Sequence, residues 1–163
     1  MRVIGLDIGD RTVGVAVSDE GGIVARGLCV HRRRGDATDV AAVAALVARE
    51  GAGLVVAGLP RTLRGEAGPQ AEKVERFVAD LRGAMPVPVE LWDERLTTRI
   101  AERSLLEADV SRGRRRRLID QVAAAVILQG YLDARAARAR RGEGATAPEG
   151  GGPSPGGPAP PPG

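Results

Sequence analysis

The stretch Val3-Ile4-Gly5-Leu6-Asp7-Ile8-Gly9-Asp10-Arg11-Thr12-Val13-Gly14-Val15-Ala16-Val17-Ser18-Asp19 decides the fold of this chain. An apolar run carries an acid near its end, a glycine-bearing turn follows, and a second run returns. Valines alternate with small residues in the second run, a period of two that is typical of a half-buried strand. The stretch predicts a hairpin with the Asp7 carboxylate at a sheet edge. That place suits a metal ion or a phosphate, although a lone acid at a strand end is usually a turn residue.

The rest of the chain alternates between helical and extended patterns. The predicted elements are strands at 2–8, 12–18 and 23–30, a helix at 37–50, a strand at 54–58, a helix from Pro69 to Gly83, a strand at 87–92, a helix from Thr97 to about Ala108, and a long last helix capped by Ser111. The order βββαβαβαα predicts an α/β fold, with a mixed five-stranded sheet flanked by helices. Pro88 places its strand at a sheet edge or makes it the strand's first residue.

Two later acids strengthen the interpretation of Asp7 as a functional residue. Glu94 follows the last predicted strand, and sites in such sheets form at the carboxyl ends of parallel strands, so Asp7 and Glu94 share one end if their strands are neighbours. Asp120 borders the apolar stripe of the last helix, formed by Ile119, Val122, Ala123, Val126, Ile127 and Gly130. A carboxylate there needs a partner. The ordinary alternative is an ion pair with Arg116 or Arg117.

Composition divides the chain into a folded domain, 1–141, and a tail, 142–163. The tail is almost entirely Gly, Pro, Ala, Ser and Glu, and we predict that it is disordered because it cannot form a core. All 24 basic residues lie in the domain, against 19 of the 21 acidic ones, since Glu143 and Glu149 belong to the tail. The domain is therefore basic, which favours a polyanionic partner.

The scarcity of cysteine, histidine and aromatic residues argues against several classes of protein. Cys29 and His31 are the single cysteine and histidine, which argues against zinc hydrolases and Ser-His-Asp or Cys-His mechanisms. We interpret His31 as a solvated or phosphate-facing residue. Three aromatic residues are too few for base-stacking platforms. The absence of a membrane-length apolar run and of a signal-peptide pattern predicts a cytoplasmic protein with no membrane contact.

Arginines cluster in two places. One run, Arg112 and Arg114 to Arg117, opens the last helix, where cations oppose the helix dipole. The other is Arg32-Arg33-Arg34. A run of charge is usually a solvated face, but the unfavourable position of the first run indicates a role in binding phosphates, which arginine contacts in bidentate fashion. We expect sequence-tolerant backbone binding with a strong salt dependence.

Four motifs in order resemble the YqgF family, whose members are also called RuvX. They are Gly5-x-Asp7-x-Gly9 with Gly14-x-Ala16-x-Ser18-Asp19, then Gly58-Leu59-Pro60, then Asp93-Glu94-Arg95-Leu96-Thr97-Thr98, and then Ile119-Asp120 before Ala123-Ala124 and Ile127-Leu128-Gln129-Gly130-Tyr131-Leu132-Asp133. The resemblance covers nearly all of residues 1–135. One departure is the segment Arg61-Thr62-Leu63-Arg64-Gly65, where the family usually has small polar residues with Asn and often Asp before Gly. Its two arginines could instead hold phosphate.

The resemblance implies an RNase H-like fold and a cytoplasmic nuclease that matures the 5′ end of 16S rRNA in ribosome biogenesis, with Holliday-junction resolution as an older proposal. It implies a catalytic, metal-holding centre of Asp7, Glu94 and Asp120, with Asp93 as an outer member. Carboxylates without Cys or His suit two Mg²⁺ or Mn²⁺ ions. The expected nucleic-acid contacts are Arg11, Arg61, Arg64, Arg95, Arg112, Arg114, Arg115 and Arg116.

Other functions stay open at this point. An actin-like or sugar-kinase domain shares the Asp-x-Gly turn but needs a second such domain to close over ATP. A non-catalytic RNA-binding assembly factor with a relic acidic site is compatible with the altered loop after Pro60. A resolvase of branched DNA would need two sites in a homodimer, and the sequence does not decide between monomer and dimer.

Overall fold

The computed structural model describes residues 1–60, 68–93 and 112–142, with the backbone alone for 112–119. Five strands form one sheet in the order β3-β2-β1-β4-β5. The strands are β1 Arg2–Ile8, β2 Thr12–Ser18, β3 Ala25–Arg32, β4 Ala52–Leu59 and β5 Val89–Asp93. The first three are antiparallel, and β1, β4 and β5 are parallel. The mixed α/β architecture expected from the sequence is confirmed.

The predicted bounds hold best for the opening hairpin. β1 and β2 match their predicted ranges, whereas β3 begins two residues later than expected, because Asp19 accepts backbone hydrogen bonds from Ile23 and Val24 and extends the turn. β5 is an edge strand that begins just after Pro88, as the proline requires. β1 and β5 are not neighbours, since β4 lies between them, but their carboxyl ends share one edge of the sheet.

The helices described are α1 Asp36–Glu50, α2 Pro69–Ala84 and α3 Arg112–Arg140. The helix expected from Thr97 to Ala108, the Ser111 cap and most of the predicted disordered tail lie outside the described residues. Among the helices described, none combines the length and apolar composition needed to cross a membrane.

Two cores lie on opposite faces of the sheet. Ile4, Leu6 and Ile8 of β1 pack in the core that α1 and α2 cover. Val3 packs on the other face, where α3 contributes Ala124 and Leu128. Because side chains alternate along a strand, Asp7 belongs to the face that α3 covers.

Glycines let α3 approach the sheet closely. A side chain at Gly14 would overlap the backbone carbonyl of Asp120, and one at Gly5 would stand 2.7 Å from Cβ of Leu128. The buried stripe of α3 overlaps the predicted one, since Ala123 and Ile127 are buried as expected, and it extends to Ala124 and Leu128. Val122 and Val126 of the predicted stripe are only partly buried. Helical periodicity located the stripe but not its centre, because it does not reveal which small residues a glycine-lined surface admits.

Candidate active site

Asp7 lies one residue before the end of β1, at the sheet edge where the parallel strands end. Its register partner on β2 is Gly14, which has no side chain to cover it. The carboxylate of Asp7 is partly buried, and none of the described side chains donates a hydrogen bond to it. Within the part of the chain that the structure describes, Asp7 therefore lacks the donors that usually accompany a buried charge.

Asp120 of α3 lies against the same strands. Its backbone carbonyl sits over Gly14, the residue opposite Asp7. The hydroxyl of Thr12, at the start of β2, donates a 2.7 Å hydrogen bond to Oδ2 of Asp120. The fold therefore brings together two of the three acids that the sequence singled out, and the glycines of β1 and β2 make the approach possible.

The neighbourhood of Asp7 disfavours the charged form of its carboxyl group. Burial, and then the negative charge of Asp120, raise the pKa of Asp7 from 3.8 to about 6. Both effects disfavour the charged form of the acid. A cation between the two groups would reverse the balance, and strongly perturbed carboxylates of this kind are frequent at functional sites.

The third acid, Glu94, lies outside the described residues, one position beyond the end of β5. Asp93, proposed as an outer member, is the last residue of β5 and pairs in register with Leu59. Its neighbour Trp92 packs edge-on against Tyr131 at 5.6 Å, as expected of a strand-end core residue. In the part of the chain that the structure describes, no three acidic, cysteine or histidine side chains form a metal-binding group.

The arginines expected to contact nucleic acid divide into three groups. Arg11 is exposed in the turn between β1 and β2, three residues from the end of β1. Arg61, Arg64 and Arg95 lie outside the described residues. The backbone of α3 begins at Arg112, but the side chains of Arg112, Arg114, Arg115 and Arg116 lie outside what the structure describes.

A second charged cluster, centred on Asp39, lies on the opposite face of the sheet. Asp39 of α1 is fully buried and accepts hydrogen bonds from the side chains of His31 at 2.9 Å and Arg33 at 3.1 Å. The backbone N–H groups of Arg34 and Gly35 also donate to it. Burial acts to raise the pKa of Asp39, but these hydrogen bonds outweigh it and lower the pKa to about 2.

This cluster corrects two interpretations from the sequence. His31 is not a solvated or phosphate-facing residue, because its ring is mostly buried against Asp39. Arg33 is not free for a polyanion either, since it donates to Asp36, Asp39 and the carbonyl of Gly9. Its guanidinium also lies 5.2 Å from the centre of the Phe77 ring. An acid a few residues after an arginine run was the signal that could have indicated this pairing.

A cavity of about 430 Å³ adjoins this second cluster. Its lining residues are Asp10, Arg33, Gly35, Asp36, Asp39, Lys73 and Arg76. Most of its charges are paired internally, for example Lys73 with Asp10 at 3.1 Å. The cavity therefore lies beside a structural ion-pair network, on the side of the sheet away from Asp120.

Sequence comparison finds a matching family model and relatives that share one name. The model of the RuvX family, described as “Holliday junction resolvase”, matches residues 1–134. A protein of Symbiobacterium thermophilum named “Putative pre-16S rRNA nuclease” is 55% identical over 138 residues, which are 85% of this chain and 96% of the relative. A protein of Moorella thermoacetica with the same name is 56% identical over 133 residues, which are 82% of this chain and 95% of the relative.

Two solved structures share the fold. Thermus thermophilus RuvC in complex with a Holliday junction substrate matches with a TM-score of 0.55 and 21% identity, over 84% of this chain and 96% of RuvC. The fowlpox virus Holliday junction resolvase matches with a TM-score of 0.51 and 13% identity, over 83% of this chain and 99% of the viral enzyme. At such identities the likeness shows the fold alone, which is the RNase H-like fold expected from the sequence.

Proposed function

This chain belongs to the RuvX family, and we propose that it is a metal-dependent endonuclease that hydrolyses phosphodiester bonds in processing the 5′ end of precursor 16S rRNA. The observation that carries the proposal is the pairing of Asp7 with Asp120 at the carboxyl-end edge of the sheet. The names of the RuvX relatives supply the substrate class. With membership of this family, the sugar-kinase alternative loses its basis.

The donor set of the site fits a hard divalent cation. Asp7 and Asp120 offer carboxylate oxygens, the ligand type that Mg²⁺ and Mn²⁺ prefer. The mutual repulsion of these acids is the electrostatic situation that such an ion relieves. Asp7, Asp120 and Glu94 would hold one or two ions, which when bound activate water and stabilise the leaving oxygen. Our assignment of Glu94 rests on its place directly after β5.

The remaining residues orient the acids and receive the substrate. Thr12 fixes Oδ2 of Asp120 by donating its hydroxyl proton, so the carboxylate keeps one orientation relative to Asp7. To Arg11, which is exposed in the adjoining turn, we assign the binding of a backbone phosphate. We assign the same role to Arg61, Arg64, Arg95, Arg112, Arg114, Arg115 and Arg116. Binding through phosphates predicts tolerance of sequence and sensitivity to salt.

A second candidate function is resolution of branched DNA. The description of the family model favours it, and RuvC, whose fold this chain shares, has been solved with a junction substrate. Resolution would require two sites in a homodimer, because both strands of a junction are cut, whereas leader processing would need one. We place either reaction in the cytoplasm.

Cleavage assays distinguish these functions. Labelled precursor 16S leader RNA and a four-way DNA junction would be incubated with wild type, Asp7→Asn and Asp10→Asn in Mg²⁺ or Mn²⁺. Asp10 is a matched control, since it is an exposed aspartate three residues away that pairs with Lys73 on the other face. We expect RNA cleavage that falls by at least roughly 10³-fold in Asp7→Asn, the scale of losing a catalytic group, and is unchanged in Asp10→Asn.

Other results would change the assignment. Cleavage of the junction alone would identify a resolvase. Full metal-dependent cleavage by Asp7→Asn would remove Asp7 from the catalytic centre. RNA binding without any cleavage by the wild type would contradict the nuclease proposal and favour a non-catalytic assembly factor.

A further inference from the structure

The arginine run at the end of β3 sends its side chains to different faces of the sheet. His31 and Arg33 both reach Asp39 of α1, on the face that α1 and α2 cover. Arg32 lies between them as the last residue of β3, and successive strand residues point to opposite faces. Arg32 therefore projects to the face that α3 covers, where Asp7 and Asp120 lie.

The register of the sheet places Arg32 beside the acid pair. Its partner on β2 is Thr12, the residue whose hydroxyl holds Asp120. Paired residues on antiparallel strands project from the same face with their Cβ atoms roughly 5 Å apart. Arg32 is thus one strand away from Thr12 and two strands away from Asp7.

Arg32 also differs from Arg33 in what it contacts. Arg33 is mostly buried and is held by two aspartates and a carbonyl. Arg32 is exposed, and no described carboxylate pairs with it. An acidic centre repels the phosphates of its own substrate, so a cation next to it has a clear electrostatic use.

We propose that Arg32 is a substrate-binding residue that contacts a backbone phosphate of the nucleic acid bound at the Asp7–Asp120 centre. The inference rests on the proposed function for the identity of the ligand. It adds a contact on β3 to those expected from the turn after β1, the loops and the start of α3. It also separates Arg32 from Arg33, which the sequence presents as equivalent members of one run.

The test measures binding separately from cleavage. Asp7→Asn protein serves as the parent, and Arg32→Ala, Arg32→Lys and Arg26→Ala are added to it. Arg26 is the matched control, an exposed arginine of the same strand whose register partner is Val17, a residue of the core under α1 and α2. Dissociation constants for the leader RNA and the four-way junction would be measured from 50 to 200 mM KCl.

We expect Arg32→Ala to weaken binding about tenfold, the loss of one charge-assisted contact. The slope of log affinity against log salt should fall by about one, as for one released counterion. Arg32→Lys should keep the slope because it keeps the charge, and Arg26→Ala should match the parent. Equal affinity and slope for Arg32→Ala and Arg26→Ala would overturn the proposal, and so would a parent that binds neither probe.

The cleavage assay separates failure of this inference from failure of the proposed function. If wild type cuts nothing but Arg32→Ala alone loses binding, the phosphate contact stands and the nuclease assignment falls. If wild type cuts the RNA while Arg32→Ala binds and cuts as Arg26→Ala does, the nuclease stands and the contact falls.

Discussion

Two aspartates near one edge of the sheet have opposite surroundings. Asp39, on the face of α1, receives hydrogen bonds from His31, Arg33 and two backbone N–H groups, and its pKa is lowered to about 2. Asp7, on the face of α3, has a second carboxylate beside it, and its pKa is raised to about 6. The two clusters are built from the same residue type, so their difference comes from the neighbours each fold element supplies.

The comparison distinguishes an acid that stabilises the fold from one that is poised for a ligand. The carboxylate of Asp39 is paired with His31 and Arg33 inside the protein. Asp7 opposes folding in its charged form, because burial and Asp120 both work against ionisation. The fold leaves Asp7 with this energetic cost but supplies Asp39, on the other face of the sheet, with several hydrogen-bond donors. This contrast points to a function for Asp7.

The largest expected effect comes from breaking the satisfied cluster. Asp39→Ala should lower the free energy of unfolding by about 3 kcal/mol, since it removes the buried carboxylate that pairs with the mostly buried Arg33. Urea denaturation at pH 7 measures the change. Asp36→Ala is the control, because Asp36 also pairs with Arg33 but is largely exposed, so its loss should cost less than about 1 kcal/mol.

The pH dependence of this difference follows from the lowered pKa of Asp39. Its contribution to stability is complete above the ordinary value of 3.8 and is lost as the pH falls to about 2. The difference in the free energy of unfolding between wild type and Asp39→Ala should therefore decrease over that range. A gap of constant size from pH 7 to pH 2 would show that the charge of Asp39 contributes nothing.

An effect of opposite sign is expected at the Asp7–Asp120 pair. Asp7→Asn should raise the free energy of unfolding of the metal-free protein by about 2 kcal/mol at pH 8, because the raised pKa means that ionised Asp7 destabilises the fold. The gain should shrink as the pH falls from about 6 and vanish below 3.8, where Asp7 becomes protonated in the unfolded chain as well as in the folded one. Thermal unfolding of the metal-free proteins at pH 3 and pH 8 measures it.

Added Mg²⁺ should make wild type more stable than Asp7→Asn, since a ligand that binds the folded wild type stabilises it. Asp7→Asn would gain less because it lacks a carboxylate. If Asp7→Asn were less stable than wild type in EDTA at pH 8, Asp7 would belong with Asp39 as a structural acid.

The sequence was sufficient for the fold because its strand signals are local. The alternation in β2 and the turn at Gly9 fix the opening hairpin, and Pro88 marks an edge. The proximity of Asp7 and Asp120 depends on long-range packing, in which Gly14 admits the backbone of α3. Strand-end position singled out Asp7, the border of a helical apolar stripe singled out Asp120, and the family resemblance includes both. None of these signals gives the packing that unites the two acids.

The arginine run shows where sequence reasoning fails. Arg32 and Arg33 are chemically identical neighbours, and composition alone treats both as surface charge. Their roles differ because the two side chains project to different faces of β3, and Asp39 lies on the face of Arg33. The same limit applied to His31, whose partner lies eight residues later on α1. The nearby acid hints at such pairings, but they also depend on which face of β3 the helix α1 packs against, which is a tertiary property.

The smallest effect is expected at Thr12, whose hydroxyl donates a hydrogen bond to Asp120. Thr12→Val should lower Mn²⁺ affinity about tenfold, because Asp120 loses the hydrogen bond that orients it. The loss of stability should be only about 1 kcal/mol. Calorimetric titration of Mn²⁺ measures the affinity, and Thr12→Ser, which keeps a hydroxyl, should restore it. Unchanged Mn²⁺ affinity in Thr12→Val would mean that Asp120 is positioned by the packing of α3 on Gly14 alone.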